Sequence, residues 1–192
     1  MNAGTALAAL IVSILLAASG LAAEVPPTDQ KTSQAPTTSR TAATHFIEIS
    51  ISRTLLTLYE LHGAGKLLPV AQYRVGSAMR GLKTYPLGPG RVTAIQFAPW
   101  WHPTAYSRQV FRERGISLPR AVPPGHPLNY MGPFKISLSH RTWKGAIYRI
   151  HGNNDPRRVG RRVTGGCFVM HNREGLELAR TIRVGTVVNI VP

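Results

Sequence analysis

The first regular alternation of apolar and polar residues begins near His45, where Ile47, Ile49 and Ile51 interleave with Glu48 and Ser50. That period of two marks a half-buried strand. Leu55 to Tyr59 and Leu67 to Val75 follow as further strand candidates, separated by the turn-prone His62-Gly63-Ala64-Gly65, which predicts a β-meander. Thr84 to Gly132 is dense in Pro and Gly and carries Trp100, Trp101, Tyr106 and Tyr130. A connection this long is usually functional, so we expect a lid or binding wall there, with a short helix at Ser107 to Arg114 capped by Ser107. The tryptophan pair fits core packing and ligand contact equally well. Strand character resumes at Phe134 to Leu138 and Ala146 to His151. Leu176, Ala179 and Ile182 or Arg183 then recur at helical spacing behind Asn172, a good N-cap, and the pattern stops at Val184-Gly185. Thr186 to Val191 supplies a last strand. The expectation is a mainly β domain with one or two helices and a long Pro/Gly-rich lid region.

The N-terminal stretch is different. Residues 1–23 hold no charged side chain, and the apolar run Leu7 to Leu16 leads into small residues, the outline of a secretory signal peptide. No Lys or Arg precedes the run, so an uncleaved N-terminal anchor is the alternative, and contact with a membrane is expected only through it. Residues 24–44, rich in Pro, Thr, Ser, Gln and Ala, read as a flexible linker, and 45–192 as the domain. Both readings of the N-terminus put the domain outside the cytoplasm, in the periplasm or cell envelope. No Cys follows the apolar run, so no lipoprotein anchor is indicated.

Charge narrows the partners. With 23 Lys and Arg against 8 Asp and Glu, the chain carries +15 and attracts polyanions. No nucleic-acid module can be read in it, so nucleic acid is not expected. Export points instead to the anionic polymers and peptides of the cell envelope.

A single cysteine in an exported chain cannot close an internal disulfide. Cys167 follows Gly165-Gly166, and two residues without Cβ allow a tight turn and close approach of a carbonyl to the Gly166 and Cys167 amides, a candidate oxyanion hole. A thiol needs a base or a positive neighbour to act as a nucleophile at neutral pH. His151, at the end of Tyr148-Arg149-Ile150-His151, is the best candidate for general base, although seven histidines make spacing alone a weak guide. No CxxC or HExxH pair occurs, and no metal or cofactor is expected.

Tyr148-Arg149-Ile150-His151-Gly152-Asn153-Asn154-Asp155-Pro156, Gly160-Arg161, Thr164-Gly165-Gly166-Cys167-Phe168-Val169-Met170 and Val184-Gly185-Thr186-Val187-Val188 resemble, in order, the L,D-transpeptidase catalytic (YkuD) domain. That pattern is HG, a loop, SxGCxRM, a helix and a GTxV strand, and the likeness is to the periplasmic ErfK/YbiS/YcfS/YnhG-like type. Tyr85 to Gly90, Pro99 to Thr104, Val122 to Asn129 and Met131-Gly132 extend it upstream. The resemblance implies a β-sandwich-like fold and a Cys-His pair in a groove entered by peptidoglycan stem peptides. Cys167 would form a thioester with the L-centre carbonyl of a diamino acid, releasing D-alanine, and an amine acceptor would resolve it into a 3→3 cross-link. It also implies that a backbone carbonyl, near Gly165, orients His151, and that carbapenem β-lactams acylate the cysteine. Candidates for substrate contact are Thr164, Tyr148, Arg149, Gly152, Asn153, Arg161, Arg162 and Tyr130. Two positions depart from the pattern: Thr164 replaces Ser, and Val169 stands where the family has Arg. Arg157, Arg158, Arg161 and Arg162 crowd the intervening loop, and at least one is expected to pair with a stem-peptide carboxylate. Hydrolysis of the same thioester, as in an L,D-carboxypeptidase, and a catalytically degenerate wall-binding module are the alternatives.

Overall fold

The computed structural model describes residues 44–142 and 145–192; the segments read as signal peptide and linker lie outside the described residues, apart from Thr44. Strands β1 (Thr44–Ser50), β2 (Leu55–His62) and β3 (Lys66–Arg74) form the expected antiparallel meander. β3 lies at the edge of the sheet, and its pairing with β2 shifts at Leu58/Tyr59, where Tyr59 faces Pro69. An edge strand and a register shift are the places where a residue without an N–H can sit in a sheet.

The remaining elements are β4 (Ser77–Ala78), β5 (Gly88–Phe97), α1 (Ala105–Arg112), β6 (Phe134–Arg141), β7 (Ile147–His151), β8 (Arg162–Thr164), β9 (Phe168–Val169), α2 (Asn172–Thr181) and β10 (Val187–Val191). Eight strands follow the order β3-β2-β1-β10-β5-β6-β7-β9, and β4 pairs with β8 separately. β5 joins the two halves. Its first residues, Gly88 to Arg91, pair with β10, and Val92 to Phe97 pair with β6. The sheet curls so that both halves face one core, which takes Ile47 and Ile49 from β1, Val188 from β10, Ile136 from β6, Ile150 from β7 and Phe168 from β9, all fully buried. α2 adds Leu178 and Ala179 to it.

β5 corrects the reading of Thr84 to Gly132 as continuous loop. Its Gly88-Pro89-Gly90 start looks like a turn, but the glycine answers a packing need. A Cβ on Gly90 would lie 2.7 Å from both His140 Nδ1 and Ser139 Oγ of β6, so only a bare backbone passes there. The loop that remains, 98–133, packs its own aromatic cluster of Trp101, Phe111, Leu118 and Val122, flanked by Leu128, Tyr130 and Met131.

Both helix caps also differ from expectation. α1 starts earlier, capped by Thr104, whose Oγ1 accepts from the Ser107 N–H at 3.1 Å. At α2 the N-cap is His171, without a side-chain cap bond. Asn172 is diverted to the loop after β7, accepting from the Asn153 N–H at 2.8 Å and donating to its carbonyl at 3.0 Å. Among the described residues no helix is long and apolar enough to cross a membrane.

Candidate active site

The parallel pairing of β7 with β9 sets Ile150 opposite Phe168 and His151 opposite Val169. Cys167, just ahead of β9, therefore falls level with Arg149. Arg149 and His151 are two residues apart on β7 and share one side of the strand. Strand register thus gathers a thiol, an imidazole and a guanidinium from residues separated by a long loop.

The turn before the cysteine is held by Thr164. Its Oγ1 accepts from the Gly166 N–H at 3.1 Å and donates to the Cys167 carbonyl at 2.7 Å. Gly166 has φ +132, and a Cβ there would run into the Tyr148 ring, so both conformation and space exclude a side chain. This arrangement corrects one expectation: the Gly166 amide, expected in an oxyanion hole, is already engaged by Thr164, whose hydroxyl is spent on the turn while the residue borders the cleft.

His151 is buried, and its Nδ1 lies 2.7 Å from the carbonyl of Gly152. A carbonyl can only accept, so Nδ1 carries the proton and Nε2 keeps a free lone pair in the neutral ring. The orienting carbonyl is that of Gly152, the next residue, rather than that of Gly165. Adjacency explains the choice, since the carbonyl is placed by the same backbone that places the ring. Burial, together with the nearby charges of Arg158 and Arg149, lowers the His151 pKa to about 4, outweighing the bonds that the ring donates to the Gly152 and Tyr130 backbone. The imidazole is therefore neutral at neutral pH.

The Cys167 thiol is pushed up by burial and pulled back by Arg149, through its backbone N–H, charge and guanidinium, and by the charge of Arg158. Arg149 Nη1 is anchored on the Ile147 carbonyl at 2.9 Å. Thiol and imidazole both rest in their neutral forms, which suits proton transfer during attack rather than a standing ion pair. Val169 is fully buried and exchanges backbone bonds with Gly76 at 2.7 and 2.9 Å. Its side chain is buried beside Gly76, and the positive charge near the thiol comes from Arg149 of β7 and Arg158 of the neighbouring loop.

Cys167, His151, Arg149, Tyr148, Thr164, Gly165, Arg161 and Tyr130 line one cleft of about 880 Å³. Gly152 is buried beneath it and serves the imidazole. Two expected substrate contacts are instead structural. Asn153 is buried and donates to the Met170 carbonyl at 2.5 Å, because the loop after β7 must be fastened to α2. Arg162 points across β8 to β4, with Nε on the Ala78 carbonyl at 2.9 Å and its guanidinium over Tyr85. Both tryptophans line the cleft, Trp101 buried in the aromatic cluster and Trp100 54% exposed. Lys135, which also lines the cleft, carried no sequence signal, since only the β6–β7 register sets it opposite His151. Burial, and then the charge of Arg149, lowers its pKa. Among the described residues no group of three or more His, Cys, Asp or Glu side chains could hold a metal ion.

Comparison with known proteins places this geometry in a family. Residues 44–190 match the L,D-transpeptidase catalytic domain, YkuD. The Escherichia coli (strain K12) protein named "Probable L,D-transpeptidase ErfK/SrfK" is 35% identical over 122 residues, covering 57% of this chain and 37% of its own length. The chain thus spans little more than a third of that relative. Among solved structures, Bd1075 of Bdellovibrio bacteriovorus superposes with TM-score 0.53 at 16% identity, covering 78% of this chain and 48% of its own. LdtMt1, an LD transpeptidase solved in complex with imipenem, gives TM-score 0.50 at 15% identity, covering 78% and 59%. At those identities the structures speak for the fold alone. With the family match running from the first strand of the domain into the last, the chain belongs to the L,D-transpeptidase catalytic domain (YkuD) family.

Proposed function

We propose that this chain is an exported L,D-transpeptidase that acts on peptidoglycan stem peptides with Cys167 as nucleophile and His151 as general base. The observation that carries the reading is a thiol and a neutral imidazole in one cleft, the imidazole fixed in the tautomer that leaves Nε2 free. As the Cys167 sulfur attacks the L-centre carbonyl of the donor's diamino acid, its proton passes to His151 Nε2. The tetrahedral intermediate collapses with breakage of the peptide bond to D-alanine, and His151 returns the proton to the leaving amine. An acceptor amine attacks the resulting thioester, loses its proton to His151 and frees the thiol, giving a 3→3 cross-link. The Gly166 amide being engaged, the Cys167 amide and the Arg149 guanidinium are the donors left beside the sulfur for the oxyanion.

The test is incubation of the purified protein with a stem tetrapeptide and an amine acceptor, followed by mass analysis. Cross-linked dimer and free D-alanine are expected. Cys167→Ala should give neither, and His151→Ala should slow thiol acylation by roughly 100- to 10,000-fold. Product formation by Cys167→Ala would refute the reading. By likeness to LdtMt1, a carbapenem should add to Cys167, seen as a mass increase of the intact protein that Cys167→Ala lacks. Export to the cell envelope rests on residues 1–23, and fusion of that segment to a periplasmic reporter tests it.

A further inference from the structure

Four arginines separate the base from the nucleophile, and their surroundings sort them. Arg157 also lines the cleft but is exposed and paired with Asp155, Nε to Oδ1 at 2.8 Å and Nη2 to Oδ2 at 3.1 Å. Arg162 is tied to the Ala78 carbonyl at 2.9 Å. Arg161 is exposed at the rim of the cleft. Arg158 is unlike the other three. Its guanidinium lies 5.2 Å from the centroid of the Tyr130 ring, and its Nη1, shielded from solvent, has no hydrogen-bond acceptor among the described residues.

A buried charged N–H without an acceptor is costly, on the order of 1–3 kcal/mol or more. Here it is held in place. Arg158 closes the 3-10 turn Pro156–Arg158, which the Asp155 side chain caps. Tyr130 beneath it stacks on Trp101 at 5.2 Å and meets Phe111 edge-on at 5.3 Å. A fixed guanidinium with a free, desolvated N–H is preorganised for an acceptor that arrives with the ligand. No side chain of the cleft bonds to that N–H among the described residues. Asp155 is the acidic residue lining the cleft and is engaged by Arg157, whereas Lys135, Arg149 and Arg161 add positive charge around it. Arg158 also lies close enough to Cys167 and His151 for its charge to act on both.

We propose that Arg158 forms a carboxylate-binding subsite that fixes the donor peptide beside Cys167, its Nη1 donating to a carboxylate of that peptide. The inference rests on the cleft being a stem-peptide site and adds the residue that recognises the peptide's charge. It predicts that a peptide with that carboxylate free is preferred over the corresponding amide, and that Arg158 is the source of the preference.

The test separates binding from turnover by using the full chain carrying Cys167→Ala. Its affinity is measured by calorimetric titration for a stem tetrapeptide and for analogues in which the D-glutamate, diamino-acid side-chain or terminal carboxylate is amidated one at a time. One analogue is expected to bind roughly 10- to 100-fold more weakly than the free acid, the factor for losing a hydrogen bond to a charged group. The identity of that analogue names the carboxylate. Adding Arg158→Gln should weaken the free acid by the same factor and leave that analogue unchanged, while Arg158→Lys should retain part of the preference. Equal weakening of acid and amides by Arg158→Gln, indifference of the Arg158 protein to all three amidations, or failure of the tetrapeptide to bind at all would overturn the proposal. A failure of transpeptidation would appear elsewhere, as absence of product from the unsubstituted enzyme while the acid–amide preference persisted.

Discussion

The main core takes side chains from every strand except β8 and from α2, whereas the cluster around Trp101 takes all of its members from residues 101–131. The first is sealed by pairings between distant parts of the chain, such as β1 with β10. The second closes locally, through paired backbone bonds between Trp101 and Val122 at 2.8 and 2.9 Å and three mutually packed rings. The cleft lies between them. Arg149 and His151 stand on β7 and Cys167 just ahead of β9, all mounted on the main core, while Trp100 and Tyr130, the ring beneath Arg158, belong to the local wall. A reacting pair needs fixed geometry and is mounted on the cooperative unit; recognition can be carried by a wall that loosens without unfolding the sheet.

The largest effect that tests this division comes from the core. Phe134→Ala should cost about 3–5 kcal/mol in urea unfolding and take the site down with it. Trp101→Ala should move the global midpoint by less than half as much, yet speed hydrogen exchange at the Val122 amide and weaken peptide binding. Equal losses would make the two clusters one unit.

A second effect, up to about 3 kcal/mol, comes from pH. The His151 pKa is lowered to about 4 in the folded protein, so below about 6.5 the unfolded chain takes a proton that the folded chain refuses. Stability should therefore fall as pH drops from about 6.5 towards 4, and His151→Gln should flatten that part of the profile. The same slope in His151→Gln would place the acid sensitivity elsewhere.

Smaller still, Thr164→Val should cost about 1–2 kcal/mol through the two bonds that hold the Gly165-Gly166-Cys167 turn. Acylation of Cys167 should slow by more than the stability loss explains, and unchanged acylation would mean that the turn is held by backbone alone. The smallest effect is at the wall's surface. Trp100→Ala, at a residue 54% exposed, should change stability by less than about 0.5 kcal/mol. Its measurable consequence is weaker stem-peptide binding, and unaltered binding would remove Trp100 from the recognition surface.

Much of this plan was legible in the chain. Alternation located β1, and strand-forming runs between turn residues located β2, β3, β6, β7 and β10; burial alternates cleanly in β6 and β10, whereas β2 buries three residues in a row and β3, at the sheet edge, is mostly exposed. Both signals missed β5, because Gly88-Pro89-Gly90 carries turn residues for a packing reason that lies in β6. The caps slipped because Thr104 and Ser107 are both good N-caps, and because Asn172, the better cap by type, is taken by the distant Asn153 and leaves His171 at the N-cap. Cys167 and His151 stood out through the glycine pair and the motif around them. Their helpers did not. Gly152 in place of Gly165 as orienting carbonyl, Arg149 on the thiol, and Asn153 and Arg162 as structural ties all follow from where strands come to rest.

Residue types, their local spacing and the family motifs by themselves determined that this is a mainly β domain with one thiol, a basic loop and an imidazole at a strand end. Those are properties of short stretches, and they are written in short stretches. Only the tertiary structure decided which of four neighbouring arginines keeps a free N–H in the cleft, which amide of the glycine turn is already engaged and where the charge beside the thiol comes from. Each depends on burial and on hydrogen-bond competition among groups brought together by strand register, and one step of register exchanges every side chain on a face for its neighbour.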